Sequence, residues 1–171
     1  MKPINLRLPR LVENDDRATL INDVLSAPKK LWAKSVVEVA HIPFNLEFVR
    51  TLQLEHKKGR VVRGFELIER SLASQSKGLQ QVDQKTGEKR GQRISRLLII
   101  SNDGSDRYMR KLEQLILQHK DRVLAIVIDA DSERLGHLFF GEGKSVKLLM
   151  LEHKESVAAA LFSLLPKVVE D

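Results

Sequence analysis

Two segments in this chain, RLLIIS with Leu98–Ser101 as the heart of a strand and Val123–Ile128 reading VLAIVI, are apolar at consecutive rather than alternate positions. A strand with one wet face alternates, so an unbroken apolar run marks a strand covered on both faces. Val146–Leu151 reads as a further strand. Amphipathic helical patterns separate them. Ser105–His119 places Met109, Leu112, Leu115 and Ile116 on one stripe, Ser132–Phe139 reads as a short helix, and Lys154–Leu165 is a helix stopped by Pro166. Ahead of these, Arg60–Val62 reads as a short strand, and Gly64 to about Lys77 as a helix with Phe65, Ile68 and Leu72 inward. The order from residue 60 is βαβαβαβα. This predicts an α/β fold: a three-layer α/β/α sandwich on a mixed sheet of about four strands.

Upstream the pattern is less regular. Met1–Leu11 carries two prolines and reads as an extended arm. Asn14 or Asp15 is a candidate cap for a helix with Leu20, Ile21, Val24 and Leu25 on its apolar face. Lys34–Ala40 is a candidate strand, and Phe44–His56 a helix with Phe44, Phe48, Val49 and Leu52 on one stripe. Trp32 and these phenylalanines read as core. The chain thus divides into an N-terminal arm and helical extension, 1–45, and the sandwich, 46–171, interrupted by a polar, basic insertion at 78–93.

The charge is uneven. Of a net +6 for the chain, the segment Lys57–Arg96 holds eleven Lys/Arg against four Asp/Glu, a local excess of seven. A concentrated basic segment is the electrostatic footprint of a polyanion partner, its bland alternative being a solvated basic loop. The absence of cysteine excludes disulfides, Cys-ligated zinc and thiol nucleophiles, and favours an intracellular compartment. No apolar run approaches the ~20 residues of a membrane span. The five histidines have no metal-ligand spacing, and no phosphate-binding glycine fingerprint or nucleophile elbow occurs, so no catalytic residue, metal or cofactor is expected. Asp103, Asp131, Ser105 and Ser132 read as turn residues and helix caps rather than as an acid cluster.

Within the basic segment, Gly59–Leu72 reads GRVVRGFELIERSL: a basic turn, a glycine, and a helix start. Unpaired N–H groups and the macrodipole at a helix N-terminus favour phosphate. Lys58, Arg60, Arg63 and Arg70 supply charge, and Gly64 lets the backbone approach a ligand. A second candidate is FFGEGKS, Phe139–Ser145, where Gly141 and Gly143 give freedom, Lys144 adds charge and Phe140 offers a ring.

From Gly59 to about Leu161, some three-fifths of its length, the chain resembles the kink-turn RNA-binding ribosomal-protein superfamily of the L-seven-Ae type. The basic turn Gly59–Gly64 is similar to that family's G-K-I-x-K-G, LLIISNDGS (Leu97–Ser105) to its next strand and turn, and Leu135-Gly136 to its Leu-Gly pair. The resemblance implies binding of structured RNA within a ribonucleoprotein that contains other proteins. Where the family places Asn and Glu to read sheared G·A pairs, this chain has Glu66 and Leu67, while Arg70 keeps the family's basic residue. That departure implies a weakened kink-turn preference. Glu66 is then expected to accept from a base amine. The alternative is a protein-interaction subunit that keeps the fold without kink-turn recognition.

Overall fold

The computed structural model describes residues 7–86 and 93–166. Four strands follow residue 60, as the pattern predicts: β3 (Val61–Arg63), β4 (Arg96–Ile100), β5 (Val123–Ile128) and β6 (Leu148–Leu151). Their connecting helices are α4 (Phe65–Thr86), α5 (Asp106–Gln118) and α6 (Ser132–Phe140), with α7 (Lys154–Ser163) last. The expected count of about four strands is nonetheless corrected to six, because the N-terminal segment adds β1 (Lys29–Lys30) and β2 (Glu38–Ile42) to the same sheet. That segment also carries the helices α1 (Arg10–Glu13), α2 (Ala18–Val24) and α3 (Leu46–Lys57).

The strand order is β1-β2-β5-β4-β6-β3. β2, β5 and β4 run parallel, with Ala40 opposite Ile126 and Ile99 opposite Ile126 on the other side. β6 is antiparallel to both β4 and β3, and β1 is antiparallel to β2. Pleating sends successive side chains to opposite faces. Leu97, Ile99, Leu149 and Leu151 therefore pack with Phe48, Leu52, Leu135 and Leu161 of α3, α6 and α7. Leu98, Ile100, Leu148 and Met150 pack with Ile68, Leu72, Met109 and Leu112 of α4 and α5. Two cores on two faces make the three-layer sandwich, and they explain the unbroken apolar runs.

β2 begins four residues later than the expected Lys34. The Ser35 hydroxyl accepts from the Val37 N–H at 3.0 Å and donates to its carbonyl at 2.9 Å, and Leu31 donates to Val37 O. These bonds hold 31–37 as a loop. No side chain caps α2, which starts at Ala18. Asp15 bonds instead to the Arg17 N–H and guanidinium. α4 runs nine residues beyond the expected Lys77, through Gly78, so the insertion begins as helix, and its remainder at 87–92 lies outside the described residues. A glycine inside a helix costs only about 1 kcal/mol relative to alanine and does not force a stop. The arm is anchored where Ile94 donates to Arg7 O at 2.8 Å and the Arg93 guanidinium bonds to Leu8 O and Glu13. Among the described residues no helix is long and apolar enough to cross a membrane.

Candidate nucleic-acid interface

β3 is one of the two edge strands, entered from α3 through a turn in which Arg60 N–H donates to Glu55 O. Its exit is Gly64, at φ +86°, whose N–H donates to Leu148 O at 3.0 Å. The left-handed backbone turns the chain from strand into α4, and a Cβ there meets no atom within 4 Å. Conformation rather than crowding therefore asks for glycine, and the backbone is open on that side.

Arg60 immediately precedes β3 and Arg63, opposite Leu149, ends it, so their Cα atoms are about 10 Å apart at strand rise. Arg63 is exposed, and its guanidinium carbon lies 3.9 Å above the Phe140 ring. The His56 ring meets Phe140 edge-on at 5.1 Å. The basic turn thus meets the end of α6 that leads into the glycine loop, 77 residues on in sequence. Phe140 is the last residue of α6 and not part of the loop itself, and its ring is held between Arg63 and His56. An exposed cation–ring contact contributes about 0.5–1 kcal/mol, so a ligand can displace it.

Lys58 is the C-cap of α3, with its ammonium 3.4 Å from the buried Glu55 carboxylate, which also accepts from the Ser156 hydroxyl. Part of its charge is therefore compensated locally. Glu66 and Arg70 are exposed on the first turns of α4, with Leu67 between them 54% exposed. Arg60, Arg63, Arg70 and Lys144 are in no ion pair among the described residues.

The glycine loop does not hang free. Lys144 N–H donates to Gly141 O, and Val146 N–H to Ser132 O at 2.9 Å, so the chain runs back along α6. It crosses α6 at Gly136, where a Cβ would collide with the backbone of Lys144 and Ser145. Gly141 and Gly143 both take positive φ at the bends, and Lys144 is exposed. Beside the loop lies an open depression of about 580 Å³ lined by Asp131, Glu133, Arg134, His137, Glu142 and Gly143. Three carboxylates against one arginine make it unsuited to phosphate.

The carboxylates at the strand ends are tied into the fold. Ser105 and Asp131 cap α5 and α6, accepting from Tyr108 and Arg134 N–H. Ser132 is no cap; its N–H and hydroxyl both donate to Asp103, at 3.0 and 2.7 Å, and Ser101 donates a third bond at 2.8 Å. Burial pushes the Asp103 carboxyl up, but these hydrogen bonds outweigh it and hold the group below the ordinary carboxylate range. Such a group stabilises the fold above its unfolded pKa near 4, and the contribution is lost as pH falls through the lower folded value. Asp103→Ala is expected to reduce stability by about 1–2 kcal/mol at pH 7, an exposed carboxylate lying toward the low end. The gap should narrow in urea unfolding below pH ~4. An unchanged midpoint at pH 7 would show that water serves these donors equally well.

The pattern also missed a set of residues on the other face of the same sheet end. The Phe65 and Tyr108 rings meet at 6.2 Å and 66°, with the Lys111 ammonium 4.1 Å over Phe65 and that of Lys147 5.1 Å over Tyr108. Phe65 reads from periodicity as an inward residue, and it is half-buried. Periodicity reports depth, not lateral neighbours, so nothing in it pairs Phe65 with Tyr108.

No family model matches this chain, and no curated protein matches it. A solved structure of a protein with unknown function from Bacillus halodurans C is similar to it at a TM-score of 0.44 and 14% sequence identity, over 67% of this chain and 96% of that one.

Proposed function

We propose that this chain binds structured RNA without catalysing a reaction, as a subunit of a ribonucleoprotein. The observation that carries the reading is the contact of Arg63 with Phe140, which brings the basic turn beside the end of α6 that leads into the glycine loop, with Arg60, Arg63, Arg70 and Lys144 in no ion pair among the described residues. In this reading Arg60, Arg63 and Arg70 meet phosphates or guanine edges, for which a planar, bidentate guanidinium is suited. Glu66 accepts from a base amine. The open side of Gly64 lets an RNA backbone approach, and Phe140 with Gly141, Gly143 and Lys144 holds an unstacked nucleotide from the other side. The resemblance of Gly59–Arg70 to the kink-turn turn-and-helix supports the same assignment.

The exposure of Leu67 favours a second reading, in which the start of α4 contacts a protein. A salt titration separates the two. With a kink-turn hairpin RNA, log affinity should fall steeply with log salt, and Arg60→Ala with Arg63→Ala should flatten the slope by about 1.5, roughly 0.7–0.9 per phosphate contact. Unchanged affinity and slope in the double variant would favour the protein contact.

A further inference from the structure

The rings of Phe65 and Tyr108 lie at the first turns of α4 and α5, in the layer opposite α6 and Phe140. Both are half-buried, so the core fixes them while one side stays open. The two ammoniums resting on them mark ring faces that solvent reaches. Neither lysine is in an ion pair among the described residues. Lys147 is held by its backbone, its carbonyl accepting from Ser101 N–H at 3.0 Å. Burial pushes the Tyr108 phenol up to about 12, so it remains neutral beside an anionic ligand. Arg107 adds charge one turn before Lys111; Glu66, Glu69 and Asp106 are the acids on the adjoining turns.

We propose that this platform is a second RNA-binding surface that takes unpaired nucleotides, with bases on Tyr108 and Phe65 and phosphates on Lys111 and Lys147. It rests on the RNA-binding reading above and extends it to single-stranded RNA flanking the structured element. The chemistry selects that class. A paired base offers no free π-face, whereas an unpaired one stacks on an aromatic ring more strongly than an exposed ammonium does. A base that displaces each ammonium leaves it beside the phosphate of the same nucleotide. In the chain only Gly64 separates Arg63 from Phe65, so an RNA passing the β3 edge is within reach of both faces.

The test uses the full chain and a kink-turn hairpin RNA with or without a 3′ tail of about eight uridines, within the usual span of a single-strand site. At 0.1 M salt the tail should raise wild-type affinity about tenfold, roughly 1.4 kcal/mol. In Lys111→Ala with Lys147→Ala the gain should fall below about twofold while binding of the untailed hairpin is unchanged, and the salt slope for the tailed RNA should drop by about 1.4. Tyr108→Phe should keep the gain and Tyr108→Ala lose it; should Tyr108→Ala fail to fold, the exposed lysine pair still decides. A tail that adds nothing to wild type, or adds as much to the lysine variant, overturns this inference while leaving hairpin binding intact. A wild-type chain that ignores the hairpin overturns the underlying reading as well.

Discussion

Gly136→Ala is expected to lower the stability of the chain by about 3 kcal/mol, the upper part of the range for overpacking a filled interior. The added methyl falls well inside 3.0 Å of the Lys144 carbonyl and the Ser145 Cα. Both are main-chain atoms, which cannot swing aside as a side-chain end does. Relief requires the loop to lift from α6 and to break the Val146–Ser132 hydrogen bond. For a chain of this size the loss corresponds to roughly 6–12 °C in melting temperature. Gly64→Ala is a useful contrast, since its Cβ has open space and only the positive φ opposes it, at about 1 kcal/mol. Thermal melts of the two variants should rank Gly136→Ala as the more damaging. Equal melting temperatures would mean that the loop crosses α6 without constraint.

Charge reversal at Arg63→Glu with Lys144→Glu should weaken RNA binding by about 100-fold at 0.1 M salt. Losing two phosphate contacts removes about 25–60-fold through counterion release alone, and two new carboxylates repel the backbone further. Both side chains are exposed, so circular dichroism and the melting temperature should stay close to wild type. Fluorescence anisotropy with a labelled kink-turn hairpin reads the loss. A folded variant that binds within twofold of wild type would remove this surface from the interface.

What the sequence makes legible follows from how local each signal is. β4 and β5 are legible because both of their faces are covered, which leaves an unbroken apolar run that needs no knowledge of neighbours. α5 is legible to within a residue or two, because its apolar stripe and its Ser105 cap are both local. β2 is harder. Its place beside β5 depends on Ala40 meeting Ile126, a pairing across 86 positions with no local signature. α4 outruns its expected end because Gly78 is a stop signal only where the chain has somewhere else to go, and here the helix continues. The candidate interface has the same division. Arg63 and Phe140 each stand out by type and local context, but their contact is created by β3 pairing with β6, which brings the residue before Gly64 alongside the α6 end. Lys111 and Lys147 carry no local mark at all, since lone surface lysines are common and their distinction is the ring beneath each one.

The two outer strands of the sheet are β1 and β3, two and three residues long, and they present Lys29 and Lys30 at one rim and Arg63 at the other. Open strand rims invite other chains to add to the sheet, and brevity with cationic side chains is the usual protection. Arg63 therefore guards the β3 rim against strand addition, and a polyanion bound there would shield the rim it protects. A concentrated stock from which Arg63 has been removed loses that guard at the β3 rim, and self-association by strand addition would start there.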